Sequence, residues 1–468
     1  MIFVLILFLL SGCMVGPNYH RPCLDIPNNW ETSLSPTVSD VNLVWWEQFG
    51  DPTLNELIVI ALNYNQDLRL ATCRVDEFLG LYQITRADLF PRVDGESLYG
   101  RERVSESLTP TGPGIKNPDN VYGILVSGRW ELDLWGKLRR ATEASIAELL
   151  ASEEARQTVI QTLVSAVATT YIDILRLEEQ LKISYNTAET RRKTLELFEK
   201  RFAAGVISKI DLSQIESEYQ AALAAIPEFQ RLIEQSEHAL SVLTGQNPGR
   251  IPRLGTIQAL QTPAIPENLP SDLLYQRPDI GEVEQRLIAA NARIGVARAA
   301  YFPTISLTGE YGSASRELSD LFTGKALSWN YFVPVSVPIF TAGKIAGEVN
   351  AAEAVYCQLL AEYRQQILVA FQETEDALVA IKRNKEQLDA LEKQVESLET
   401  YASLAKYRYD EGYASYLEVL DAERSLFNAQ LEYSETWGNY YLGMVSLYKA
   451  LGGGWICKAD HLTPDCCY

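Results

Sequence analysis

The 468 residues include only three histidines (His20, His238 and His461) and seven cysteines. No Gly-rich phosphate loop, His-Glu-x-x-His metal helix or Gly-x-Ser-x-Gly elbow occurs in the chain. With only three methionines as well, the inventory speaks against a histidine-based metalloenzyme or a soft-metal site. The expectation is therefore no enzyme, no cofactor and no metal. One C-terminal cluster has donor types that suit zinc: Cys457, His461, Cys466 and Cys467. A disulfide from Cys457 to Cys466 or Cys467 is the better expectation in an oxidising compartment. Free thiols on a disordered end are the third alternative. Cys73 and Cys357 fall in helical stretches and are expected to be small buried hydrophobes. Cys23 has no assignable role.

The odd cysteine is Cys13. Met1 to Leu10 is an unbroken apolar run, too short to span a bilayer but suited to the apolar region of a signal peptide. Leu10-Ser11-Gly12-Cys13 follows it and resembles a bacterial lipobox, in which cleavage before the cysteine leaves a lipid-modified N-terminus. No Lys or Arg precedes the run, which leaves open whether Met1 is the start. A chain beginning at Cys13 is exported and tethered by acyl chains, each buried CH₂ adding about 0.8 kcal/mol of membrane affinity. Met14 in place of Asp after that cysteine implies sorting to the outer membrane.

A second constellation is Leu417, Asp421 and Arg424, spaced 4 and 3 and so on one helix face. Read as a surface pair, Asp421 and Arg424 are worth about 0.3 kcal/mol. The net charge of −20 argues against nucleic acid, which needs a basic face.

The elements that must position these residues come from a duplication. Leu89-Phe90-Pro91 through Tyr99-Gly100 aligns with Tyr301-Phe302-Pro303 through Tyr311-Gly312, an offset of 212. Trp135-Gly136-Lys137 then aligns with Ala342-Gly343-Lys344 at 207, pairing Leu197, Arg201, Gly205 and Ser208 with Leu404, Arg408, Gly412 and Ser415. Each copy reads helix, strand, strand, very long helix, return helix, with the five prolines of Gln246 to Pro270 between copies as an irregular linker. Lys344 to Tyr409 has no Pro and a heptad seam of Leu388, Leu391, Val395, Leu398, Ala402, Ala405 and Tyr409. Val349, Ala352, Tyr356, Leu359 and Tyr363 repeat that spacing upstream. At about 1.5 Å per residue such a rod runs roughly 100 Å. Lys137 to Phe202 matches it. Gly205 and Gly412 mark the turns into return helices Lys209 to Thr244 and Ser415 to Ala450, and Pro227 predicts a kink in the first.

Arg92 to Tyr99, Ile124 to Leu134, Thr304 to Gly312 and Trp329 to Ile339 alternate with period two. Ile124, Val126, Trp130 and Leu132 oppose Ser127, Arg129, Glu131 and Asp133, for example. Such alternation fits a transmembrane barrel strand or a half-buried soluble strand. Four strands cannot close a barrel, and open edges are forbidden in hydrocarbon. Three chains supply twelve, an even number within the range of outer-membrane barrels. The expected fold is mainly α with β: a trimeric twelve-stranded transmembrane barrel continued by a helical coiled-coil barrel. A periplasmic coiled-coil scaffold or adhesin is the alternative.

Together these motifs resemble the TolC-type outer-membrane efflux channels, in their lipoprotein (NodT-like) branch, over Cys13 to Gly453. The resemblance rests on Gly16-Pro17-Asn18-Tyr19 with Pro22, Trp45-Trp46 with Phe49, Asp51-Pro52, Asn65, Asp67-Leu68-Arg69, Arg277-Pro278-Asp279-Ile280, and Ala289 through Ala300 running into Phe302-Pro303. It implies a passive exit duct in a tripartite efflux system, with a periplasmic adaptor and an inner-membrane pump as partners. The adaptor would touch the hairpin tips at Arg201, Gly205, Ser208, Arg408, Gly412 and Ser415. It further implies that Leu417 plugs a periplasmic constriction and that Asp421 and Arg424 tie helices together there. The expected division is signal peptide 1–12, lipidated segment 13–50, first repeat 51–245, linker 246–271, second repeat 272–453 and a Cys-containing tail 454–468. The exported compound and the pump class are not legible.

Overall fold

The computed structural model describes residues 14–24, 26–32, 44–105, 107, 116–253, 255–265 and 273–463. Cys13, Cys466, Cys467 and the signal peptide lie outside them. In chain order, the α-helices of six residues or more are α1 (Pro52–Tyr64), α2 (Gln66–Ala87), α3 (Lys137–Ala203), α4 (Lys209–Leu243), α5 (Pro278–Ala299), α6 (Lys344–Asp410), α7 (Tyr416–Leu451) and α8 (Trp455–Asp460). The strands are β1 (Arg92–Glu102), β2 (Asp119–Leu132), β3 (Thr304–Ser315), β4 (Leu327–Phe332) and a two-residue β5 (Val335–Ser336).

The duplication is kept to the residue. Shifting α3 by 207 gives α6, both of 67 residues, and shifting α2 by 212 gives α5, both of 22. At about 1.5 Å per residue, α3 and α6 are each roughly 100 Å long. The heptad seam of α6 is its covered stripe, with Leu388, Leu391 and Ala405 buried and the residues between them half-buried. One stretch of α3 reaches a mean hydropathy of 1.4 and is mostly buried. Ile160, Val167, Tyr171 and Ile174 there are core residues with no exposed surface.

The contacts divide the chain into two units. The first combines the N-terminal segment to Cys23 with Arg74–Ser152 and Glu282–Tyr363, and holds the whole sheet. Its strands run antiparallel in the order β1-β2-β3-β4, with β5 also on β3. Beside the sheet, α3 and α5 meet through Ala144, Ala147, Ala289 and Ala292, small side chains that let two helices approach closely. The motifs at the strand–helix junctions meet here too. Trp135 stacks on Phe302 with centroids 4.8 Å apart, and its indole N–H donates to Pro303 O at 2.8 Å.

The second unit combines Leu24–Cys73, Glu153–Gly281 and the chain from Arg364 onward. Its core is aromatic: Trp45 stacks on Tyr448 and lies edge-on to Trp46, Phe49 and Trp455. Asp51 caps α1, accepting from Thr53 N and Leu54 N, with Pro52 at the first helical position. Asn65 accepts from Leu68 N and donates to Leu243 O. Arg277 donates to Ala450 O at the end of α7 and pairs with Asp279 at 2.6 Å and Glu373 at 2.7 Å. Burial pushes the Asp279 carboxyl up, but the guanidinium beside it prevails and holds it below the ordinary carboxylate range.

Several expectations are corrected. The fourth strand does not run from Trp329 to Ile339: it stops at Phe332, because Pro334 and Pro338 have no N–H to give a ladder. Only Val335–Ser336 re-forms pairing, and Ser306 N donates to Pro334 O. The second strand begins earlier than Ile124 and ends at Leu132, and the first continues to Glu102. Cys73 and Cys357 are exposed rather than buried, because they sit off the covered stripes of their helices. The tail is not irregular from its start: α8 buries Trp455, Ile456 and Ala459, and Arg156 pairs with Asp460 at 2.7 Å. Cys457 is a free, exposed thiol on that helix.

Candidate functional site

The sheet has two faces, and the described residues fully cover neither of them. Val93, Tyr99, Ile124, Val126, Trp130, Tyr311, Trp329 and Tyr331 share one face by register and are all exposed. In a soluble half-buried sheet this face would lie under helices; here Tyr311 is 61% exposed and Tyr331 74%. An apolar face this large, left open, marks contact with lipid or another molecule. Tyr99 packs on Tyr122 at 5.0 Å near one end, and Trp130 lies eight residues further along β2. At about 3.3 Å per residue these aromatics stand roughly 26 Å apart, close to the height of an outer-membrane apolar band.

The opposite face answers which carboxylates line the other side. Asp94, Ser127, Glu310 and Asn330 form one row across the four strands. Arg92, Arg129, Thr308 and Phe332 form the next. Asn330 donates to Glu310 at 2.9 Å, and Arg92 pairs with Asp94 at 2.9 Å. Counting Glu96 and Glu131, this face carries more carboxylates than guanidiniums.

In the second unit the two hairpin turns and the return helices build a groove. Gly205 and Gly412 turn the chain at φ of +73° and +79°, where an L side chain would be strained. Ser208 caps α4 with Asp211 in a reciprocal box, whereas Ser415 begins α7 without a side-chain bond. Beyond the turns, Leu417, Asp421 and Arg424 of α7 line a groove of about 810 Å³ with Ile210, Gln214 and Ser217 of α4. Those two triplets are the same positions in the two copies, at the offset of 207. Arg424 bonds Asp421 at 3.0 Å within its own helix, both side chains more than half exposed, and Leu417 is 61% exposed.

The proposed tip residues do not all point outward. Gly205, Ser208, Arg408, Gly412 and Ser415 are exposed, while Arg201 is half-buried and donates to Tyr409 OH, its guanidinium also over the Phe198 and Tyr409 rings. Val206 and Tyr413, equivalent by the same offset, are exposed at 71% and 78%.

Sequence reasoning missed the group behind the groove. Arg191 of α3 has a side chain only 4% exposed; it donates to Glu218 O at 2.6 Å, pairs with the Glu218 carboxylate at 3.1 Å and covers the Phe427 ring. It thereby touches α4 and α7 at once. Burial pushes the nearby Glu423 carboxyl up, with Arg191 and Lys406 opposing. The signal was present: the offset places Arg191 on Leu398, a seam position, where a charge must be paired.

A sheet with an open apolar face, polar residues opposite and 67-residue helices behind it defines a membrane-channel class of fold. The family model described as outer membrane efflux protein matches residues 57–246 and 269–453, and the chain belongs to that family. It is 36% identical over 457 residues to the solvent efflux pump outer membrane protein SrpC of Pseudomonas putida, covering 96% of this chain and 97% of that one. It is 35% identical over 452 residues to the cation efflux system protein CusC of Escherichia coli O6:H1 (strain CFT073), covering 95% and 96%. Among solved structures, the Campylobacter jejuni CmeC outer membrane channel superposes with a TM-score of 0.89 at 26% identity, over 97% of this chain and 99% of that one. The protein is an outer-membrane efflux channel.

Proposed function

We propose that three copies of the chain close one twelve-stranded barrel, β4 of each protomer meeting β1 of the next, to form the passive exit duct of a tripartite efflux system. The observation that carries this is the sheet: its two edge strands have no outer partner among the described residues, and its apolar face is open. Unpaired edges are not tolerated in hydrocarbon, so closure must come from other copies. Energy for export comes from an inner-membrane pump, reached through a periplasmic adaptor that seats on the hairpin tips. Val206 and Tyr413 give that adaptor an apolar contact at each tip, ringed by Gly205, Ser208, Arg408, Gly412 and Ser415. At rest the duct is shut where Leu417, Asp421 and Arg424 of three copies converge on the threefold axis. Cys13 carries acyl chains as a second anchor.

Purified protein in a planar bilayer tests the reading. Discrete single-channel openings from a heat-modifiable trimer are expected. A monomer with no conductance overturns the barrel and favours the periplasmic scaffold.

A further inference from the structure

Within the first unit, an apolar groove of about 400 Å³ lies between Met14, Leu89 and the facing sides of α3 and α5. Ile146, Ala147 and Leu150 of α3 and Ile288 of α5 form its apolar walls, with Arg139, Thr142, Glu143 and Gln285 also lining it, and Ile146 and Leu150 remain 39% and 46% exposed. Two aliphatic side chains this open, beside a chain end, call for an occupant.

The position of Met14 names one. Val15 N donates to Trp135 O at 3.0 Å, and Arg140, with its side chain 2% exposed, donates to Asn18 Oδ1 at 2.7 Å. Asn291 donates to Pro17 O at 3.0 Å, and Arg21 is held by the Glu284 carboxylate. Gly136, at φ +76°, has no Cβ because one there would stand 2.9 Å from the Met14 backbone. The N-terminal segment is thus fastened to α3 and α5, and Met14 is held at the groove. The residue covalently before Met14 is Cys13. Anything attached to that sulfur starts one residue, about 3.8 Å of backbone, from a groove wall. Tethering makes its local concentration very high.

A neighbouring copy is a weaker candidate. In the barrel proposed above, copies join through the edge strands β1 and β4, whereas α3 continues β2 and α5 leads into β3, the two central strands.

We propose that this groove holds one of the acyl chains carried by Cys13, the others entering the bilayer. The inference rests on the reading of Cys13 as lipidated. The lipid then acts as a strap over α3 and α5 as well as an anchor. No bond beyond the lipidation itself is made or broken.

The test uses the full-length protein from cells fed a fatty acid with a terminal diazirine, irradiated and mapped by peptide mass spectrometry. Crosslinks from the Cys13-borne chain to peptides containing Ile146–Leu150 and Ile288 of the same protomer are expected. Leu150→Gln, a change at a partly exposed site, should cut that yield several-fold with the label on Cys13 unchanged. Labelled Cys13 whose crosslinks go only to phospholipid, or to a second copy, overturns the groove assignment alone. Absence of label on Cys13 overturns the lipidation and the strap with it.

Discussion

Asp421 and Arg424 stand one helical turn apart on α7, joined at 3.0 Å with more than half of each side chain in solvent. A pair so exposed in one chain contributes a few tenths of a kcal/mol, roughly 0.3. In the gate proposed above its importance would come from convergence: three copies brought to a narrow axis would share less water, and charge interactions strengthen as the local dielectric falls. Ile210, Gln214 and Ser217 lack those charges, so the latch proposed above would belong to the second copy. Asp421→Ala with Arg424→Ala should raise resting conductance and sensitivity to large antibiotics, while trimer melting moves little. Conductance equal to wild type would place the gate elsewhere. Behind the groove, Glu423 makes a pH-dependent contribution. Its folded carboxyl lies above the ordinary range because it is buried, with Arg191 and Lys406 only partly offsetting this. A carboxyl raised on folding favours the fold while protonated, so the benefit is complete below the unfolded value and lost as pH rises through the folded one. Glu423→Gln should therefore flatten the pH slope of amide exchange in the tip helices and slow exchange at neutral pH. An unchanged slope would show that Glu423 is ionised without cost.

Elements differ in how much of them the residues announce. The ends of α3 and α6 were legible because the duplication repeats them and because glycine at positive φ must end each rod. The Leu417, Asp421 and Arg424 face followed from helical spacing alone. β4 was not legible in full: its alternation continues past Phe332, but two prolines remove the ladder donors that alternation cannot report. α8 was missed because it has no counterpart in the other copy, and a six-residue helix is too short for a periodic signal; only burial of Trp455 against Trp45 and Trp46 defines it. Arg191 was missed for the opposite reason, a charge hidden inside an apolar seam. Register supplied what composition withheld, since net charge says nothing about which face a carboxylate takes. Asp94 and Glu310 share a row, so three copies place six carboxylates at one level of the barrel, beside a level of six guanidiniums from Arg92 and Arg129. Glu96 and Glu131 tip the face towards negative, and a lumen of one sign concentrates its counter-ions. Asp94→Asn with Glu310→Gln should lower cation-over-anion permeability, read as a smaller reversal potential in a salt gradient. An unshifted potential would assign selectivity to another part of the duct.

At the scale of the assembled protein, the closed barrel and the acyl chains proposed on Cys13 would hold the chain in the membrane with different strengths. A single acyl chain gives marginal, reversible binding, and even two or three add only about 0.8 kcal/mol for each CH₂ buried. A closed barrel presents the open face of twelve strands to lipid, including Val93, Tyr99, Val126, Trp130, Tyr311, Trp329 and Tyr331 from every copy. Removing it from the bilayer would expose all of that surface and, if the ring opened, the unpaired edges of β1 and β4 as well. On the proposed acylation of Cys13, the lipid would aid delivery and strap the N-terminal segment, while the barrel would be the anchor. Cys13→Ser, exported behind a signal sequence cut by an ordinary signal peptidase, should lose acyl labelling yet remain as trimers in the outer-membrane fraction. Resistance to extraction by alkaline carbonate measures the same property without relying on fractionation. Unlipidated protein found soluble in the periplasm would mean that the acyl chains hold the chain in place and that the sheet does not cross the membrane.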